Sequence, residues 1–126
     1  MRAVRAAQII AIALVCLAGQ GYAKAAHDGL PEPITTSFAV YSLSRGKGVP
    51  EPARDLLRQA RALLDEAKQQ GTEVTIRHMR IGLEGETRLC AAFADPMAAR
   101  DMLARIRELA RDVELVNVAI ESCSEK

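Results

Sequence analysis

The sequence predicts an α+β domain of two layers, with a four-stranded antiparallel sheet and two helices on one face of it. Apolar residues recur at helical spacing in residues 51–70 and again after Asp95. Around these segments lie four short runs rich in β-branched and aromatic residues, bounded by glycine, proline or polar residues. Each predicted helix has a single apolar stripe, which is typical of a helix that packs on one side of a sheet.

The first strand and the first helix are predicted by composition and by their end signals. Residues 37–43 carry aromatic and β-branched side chains and are predicted as a strand. Residues 51–70 repeat apolar positions at i, i+3, i+4 and i+7 through several helical turns. Pro50 and Pro52 stand at the start of this helix, where a missing N–H costs little, and Gly71 follows as a natural C-cap.

The second and third strands are predicted as a hairpin. Residues 73–83 form the outgoing strand and residues 87–93 the returning strand. Glu84 and Gly85 resemble a tight turn between them. In the returning strand, alternate residues should face the helices, so Cys90 should point to the opposite, open face of the sheet.

Asp95 and Pro96 predict the start of the second helix, as N-cap and first helical residue. Residues 113–120 are predicted as the last strand. The order strand, helix, strand, strand, helix, strand is the split βαβ or ferredoxin-like arrangement. Right-handed crossovers then give the strand order 4-1-3-2 with both helices on one face.

The N-terminal segment has the pattern of a secretory signal peptide. Arg2 and Arg5 precede the apolar residues 9–18, and small residues at Gly21 and Ala23 suit a cleavage site. The apolar run is shorter than the ~20 residues of a spanning helix, so a membrane anchor is the less favoured alternative. The predicted organisation is a signal peptide at 1–23, an irregular lead-in at 24–35, a single domain at 36–123 and a polar tail at 124–126.

Charge and composition narrow the classes of partner. Removal of residues 1–23 takes away two arginines and leaves 15 basic against 16 acidic residues, a net charge of −1. A near-neutral chain has no field that draws it to nucleic acid or to an anionic membrane. We therefore expect a protein or cell-envelope partner, no nucleic acid and no membrane insertion after cleavage. A homodimer formed through an exposed edge strand stays an alternative.

Two cysteines remain after the signal peptide is removed, Cys90 and Cys123. An even number of cysteines in an oxidising compartment such as the periplasm predicts a disulfide, and two free, buried thiols are an alternative. In the predicted order, strands 3 and 4 lie ~10 Å apart, beyond the ~7 Å between Cα atoms that a disulfide tolerates. The segment after strand 4 should therefore cross strand 1 on the open face to reach Cys90. A bridge between two chains is the alternative.

The loop at residues 44–50 is the first candidate for chemistry. Arg45, Gly46, Lys47 and Gly48 stand just before a helix N-terminus, where backbone N–H groups and the helix dipole favour anions. The spacing is neither a Walker A loop nor GxGxxG. An anion site, or a phosphate hydrolase that uses this loop, is the functional interpretation. A solvated connection is the favoured one.

A second candidate is a basic cluster on the predicted hairpin, formed by Arg77, His78, Arg80 and Arg88. It is interpreted either as a patch that binds an acidic partner or as edge-strand charge that hinders aggregation, which we favour. His27 and His78 have no carboxylate or cysteine at metal-ligand spacing, so we expect no metal site. No cofactor and no catalytic residues are predicted either.

Residues 87–109 resemble the second half of the SPOR domain: a strand, a Phe-x-Asp turn at Phe93 and an alanine-rich helix. Ala92 stands where that family usually has a glycine, and the first half of the chain shows no clear match. The sequence predicts a small exported non-enzymatic domain that binds a protein or envelope component in the periplasm. The alternatives are a SPOR-like peptidoglycan-binding module, as the resemblance implies, and an anion-binding hydrolase.

Overall fold

The computed structural model describes residues 36–124, and these form one antiparallel sheet covered by two helices. Numbered along the chain, the strands lie in the order 2-3-1-4, which is the predicted order read from the other edge. The ferredoxin-like α+β prediction is therefore confirmed. The predicted signal peptide, the whole of the lead-in and the last two residues lie outside the described part. The elements are β1 (Ser37–Ser42), α1 (Glu51–Gln69), β2 (Val74–Arg80), β3 (Thr87–Phe93), α2 (Pro96–Ala110) and β4 (Val116–Ala119).

The ends of the helices follow local chemistry. Pro50 has extended backbone angles and precedes the first turn of α1. Gly71 follows the end of α1 with a φ of 95°, a left-handed conformation that costs glycine little. At α2, the side chain of Asp95 accepts a hydrogen bond of 3.0 Å from the backbone N–H of Met97. This bond satisfies one of the N–H groups that the first turn of a helix leaves unpaired.

The hydrophobic core lies between the sheet and the helices. In β3, Leu89, Ala91 and Phe93 face the helices, whereas Cys90 belongs to a small separate cluster on the open face. The ring of Phe38 in β1 stacks on that of Phe93 with 5.9 Å between ring centroids. Successive side chains of β3 thus point alternately to the core and to the open face, as the sequence predicted.

Two strands are shorter than their composition predicted. β2 ends at Arg80 because the hairpin turn begins there, and the N–H of Ile81 donates to the carbonyl of Glu86. β4 begins at Val116 because the N–H of Val113 still bonds back to Ala110. Leu115, with a φ of 61°, then turns the chain into the strand. Apolar and β-branched residues alone do not show where such turns end.

Candidate functional site

The segment that follows β4, residues 120–124 and here called the tail, crosses the open face of the sheet. The hydroxyl of Ser37 donates a hydrogen bond of 2.7 Å to the carbonyl oxygen of Glu121, and the hydroxyl of Tyr41 bonds to the carboxylate of Glu121. Cys123 is paired with Cys90, with 5.7 Å between their Cα atoms. Because Ser37 and Tyr41 belong to β1, the tail crosses that strand to reach β3, as the sequence predicted.

Arg88 joins the tail to the sheet from β3. Its Nε donates to the carboxylate of Glu121 at 2.8 Å and to the hydroxyl of Tyr41 at 3.1 Å. Its terminal nitrogen donates to the carbonyl oxygen of Ser122 at 2.9 Å. The Arg88 side chain is only 14% exposed. Arg88 is therefore committed to the protein's own tail.

The contact with Glu121 and Arg88 affects the pKa of the Tyr41 hydroxyl. Burial raises the pKa of its hydroxyl above the usual value, because burial disfavours the phenolate. The hydrogen bond to the Glu121 carboxylate raises this pKa further, and the guanidinium of Arg88 opposes both effects. The neutral hydroxyl thus serves as the donor to Glu121.

The four residues that the sequence predicted as one basic cluster lie on two different faces of the sheet. Arg77 pairs with Cys90 in the register of β2 and β3, so it lies on the open face with Arg88. His78 and Arg80 are at alternate positions and lie on the side of the helices. The structure therefore brings these residues to one hairpin but not to one surface.

The loop at residues 44–50 holds an anion that the chain itself supplies. The N–H of Gly48 donates to the carboxylate of Glu84 at 3.3 Å, and the hydroxyl of Ser44 bonds to the same carboxylate. The N–H of Gly46 donates to the hydroxyl oxygen of Ser44 at 3.1 Å. Glu84 comes from the turn between β2 and β3. These bonds, with that from Ser44 the largest, lower the pKa of the Glu84 carboxyl.

The two cations of this loop do not form the anion contact. The side chains of Arg45 and Lys47 are exposed, whereas backbone and hydroxyl donors hold Glu84. The N–H of Ser44 also donates to the carboxylate of Glu86 at 3.3 Å. The N–H groups of Ser44 and Gly48 and the hydroxyl of Ser44 are thus engaged with the hairpin turn, and the loop joins the start of α1 to that turn.

A groove of about 460 Å³ lies on the other side of the sheet, between α1 and the hairpin of β2 and β3. Leu57 of α1 and Leu89 of β3 contribute apolar surface to it. Arg54, Arg58 and Arg61 also line it, and they follow one another on the same side of α1. The groove therefore combines an apolar lining with three guanidinium groups and the carboxylate of Asp65, all four from one helix.

Each of these arginines has an acidic partner on its own helix. Arg61 contacts the carboxylate of Asp65 at 3.0 Å, and Arg54 contacts Glu51 at 2.7 Å. Arg58 contacts Glu51 at 2.9 Å as well as Asp55. The side chains of these pairs are between 44 and 63% exposed. Such surface ion pairs contribute ~0–1 kcal/mol each, so the arginines can exchange partners at little cost.

The sheet side of the groove adds polar groups of a different kind. His78 lines it from β2, and Ser42 and Thr87 line it from β1 and β3. The hydroxyls of Ser42 and Thr87 are 2.7 Å apart and share a hydrogen bond. Among residues 36–124, no three histidine, cysteine, aspartate or glutamate side chains are grouped to hold a metal ion.

None of the three arginines of α1 that line the groove, here called the arginine stripe, was predicted from the sequence as a site residue. Its signal was present, because Arg54, Arg58 and Arg61 recur at spacings of four and three residues beside the apolar stripe of α1. An exposed helix face with alternating charges is ordinarily only solvated surface. The three arginines form part of a groove because the hairpin of β2 and β3 lies beside them, and helical spacing does not show that proximity.

No family model matches this chain, and neither a curated protein nor a solved structure matches it. The likeness of residues 87–109 to the SPOR domain therefore stays a prediction. In the part of the chain that the structure describes, neither helix is long and apolar enough to cross a membrane.

Proposed function

We propose that this chain is a small exported, non-enzymatic domain that binds a protein or an envelope component in the periplasm. The single observation that carries this proposal is the groove between α1 and the hairpin. Ligand sites are typically concave and mostly apolar, with a few polar groups that set orientation. Here Leu57 and Leu89 supply apolar surface, and the arginines of α1 supply the charge.

The other two candidate surfaces are engaged internally. The open face of the sheet is covered in part by the tail, which Cys90 and Arg88 hold in place. The donors of the 44–50 loop contact Glu84. These contacts favour the groove over the sheet platform and over a hydrolase that uses the loop.

Two features support export. The first 23 residues have the pattern of a signal peptide, and Cys90 and Cys123 pair at disulfide distance. Disulfides persist in oxidising compartments such as the periplasm.

The proposal is tested by site-specific photo-crosslinking of the full chain in its own cell envelope. A photo-crosslinking residue replaces Arg61, which lines the groove, or Gln59, which lies on the same helix and lines a different groove between the helices. We expect one abundant adduct from position 61 and none above background from position 59. Equal adducts from both positions, or none from either, would contradict a binding site in this groove.

A further inference from the structure

Among residues 36–124, the outer strand β2 pairs only with β3, so its other edge has no neighbouring strand in this part of the chain. The N–H of Ile81 donates to the carbonyl of Glu86 at 2.9 Å, and the carbonyl of Glu73 accepts from Ala94 at 3.1 Å. Backbone groups of successive residues in a strand point in opposite directions, so the odd-numbered residues of β2 are directed towards β3. The free edge presents the N–H and C=O groups of Val74, Ile76, His78 and Arg80.

The same even-numbered residues direct their side chains towards the helices. Val74 is buried, Ile76 packs against the core, and His78 lines the groove beside α1. The free backbone edge and the groove are therefore next to each other. A strand added at this edge would direct every second side chain to the side of the sheet on which the arginines of α1 lie.

Charge indicates what kind of strand fits there. β2 contains Arg77, His78 and Arg80 and no acidic residue. Two copies of β2 paired with each other would place the arginines of one copy opposite or diagonal to those of the other, which is destabilising. A strand with carboxylates meets the arginines of β2 and, on α1, three guanidinium groups whose surface ion pairs with Glu51, Asp55 and Asp65 exchange at little cost. The edge and groove together are thus complementary to an acidic chain and not to a second copy.

We propose that β2 receives an extended acidic segment of a partner protein as a fifth strand, with its alternate carboxylates on Arg54, Arg58 and Arg61. In such strand addition, the main chain supplies affinity and the alternate side chains supply specificity. The arginines exchange their exposed partners Glu51, Asp55 and Asp65 for the carboxylates of the incoming strand. This inference rests on the proposed function, because it names the partner class of the same groove.

The first test uses a short capped peptide in which glutamate alternates with valine, with glutamine and lysine versions as controls. Backbone amide exchange of the full oxidised chain is followed by nuclear magnetic resonance. We expect the glutamate peptide to slow the exchange of the outward amides of Ile76, His78 and Arg80. It should bind at least about tenfold more tightly than the glutamine version, since several ion pairs contribute. Equal binding of the two peptides, or protection confined to other elements, would overturn the proposal.

The second test removes one outward N–H and leaves the pairing with β3 intact. In His78→Pro the lost N–H is one that points to the free edge, and proline is tolerated at such edge positions. His78→Ala is the matched control, which removes the imidazole but keeps the N–H. We expect His78→Pro to weaken binding of the glutamate peptide about tenfold more than His78→Ala, which corresponds to one hydrogen bond. Equal effects of the two variants would count against strand addition.

A charge variant keeps the proposal testable if His78→Pro does not fold. Replacing Arg54, Arg58 and Arg61 by glutamine changes only exposed positions, and it should abolish the preference for the glutamate peptide over the glutamine peptide. The outcomes also separate the two proposals. A groove-specific crosslink from position 61 without protection of the β2 edge would leave the proposed function standing and overturn strand addition. The absence of that crosslink would overturn the proposed function itself.

Discussion

Arg88 in β3 donates to the carboxylate of Glu121 in the tail at 2.8 Å, and Cys90 is bonded to Cys123 two residues further along each segment. The tail is therefore attached to the open face by an ion pair and by a covalent bond, which lies two residues after the ion pair in both β3 and the tail. Side chains two residues apart in a strand share a face. The ion pair and the disulfide thus act together on one side of the sheet, and the predictions below separate their contributions.

Replacing both cysteines, Cys90→Ala with Cys123→Ala, should lower the free energy of unfolding by about 3–4 kcal/mol. The bridge closes a segment with a sequence separation of 33, and the chain entropy of that loop sets the magnitude. Urea unfolding of the oxidised wild type and of the variant measures it. The reduced wild type should unfold close to the variant. A loss below about 1 kcal/mol would show that the tail is held chiefly by its polar contacts.

Glu121→Gln should lower the free energy of unfolding by about 1–2 kcal/mol. The guanidinium of Arg88 is only 14% exposed, so it would lose an ionic partner that water cannot fully replace. A double-mutant cycle with Arg88→Met, measured by urea unfolding, isolates the interaction.

The matched control for this cycle is the exposed pair Arg54 and Glu51, whose side chains are both 57% exposed. Its coupling energy should stay below about 0.5 kcal/mol. Similar coupling energies for the two cycles would contradict a structural role for Arg88. Arg88 would then again be a candidate residue for binding an acidic partner.

Stability should decline at high pH because of Tyr41. Its pKa is raised in the folded protein by burial and by the Glu121 carboxylate. The contribution of the neutral hydroxyl is complete below the unfolded pKa of 10.0 and is lost as the pH rises through the higher pKa of the folded protein. Tyr41→Phe should remove this decline in urea unfolding. The ultraviolet absorbance of tyrosinate should show the raised pKa directly, and a midpoint at or below 10.0 would contradict it.

The fold and the path of the tail followed from local patterns in the sequence. The alternation of Leu89, Ala91 and Phe93 set the helix-facing side of β3 and left Cys90 on the other. The spacing of the strands then required the tail to cross β1. These inferences succeed because the period of a strand and the separation of neighbouring strands are nearly invariant.

The site was harder to predict because it depends on contacts between distant loops. Glu84 has the sequence context of a solvated turn residue, yet it contacts Ser44 and Gly48, which are 40 and 36 positions away. The position of one loop over another depends on the packing of α1 against the hairpin. For the same reason, the spacing of Arg54, Arg58 and Arg61 showed a stripe but not the groove that it overlooks.

The contact between Glu84 and the 44–50 loop predicts that the Glu84 carboxyl titrates at a lower pH than usual. The hydroxyl of Ser44 and the N–H of Gly48 hold the pKa of the Glu84 carboxyl below 4.5. Because this pKa is lowered by folding, the stabilising contact is complete above the unfolded value and is lost as the pH falls through the folded value. Nuclear magnetic resonance should therefore show Glu84 titrating below 4.5, with the amide of Gly48 following the same curve.

Ser44→Ala tests the cause of that shift. The hydroxyl of Ser44 makes the largest contribution, so its removal should move the pKa of Glu84 back towards 4.5. Glu84→Gln is the companion variant, and the amide of Gly48 should then lose its titration altogether. Glu86 also contacts this loop, through the N–H of Ser44, and this contact remains in both variants. If the Gly48 amide still titrates in Glu84→Gln, another carboxyl group faces the loop, and Glu84 is not the anion that the loop holds.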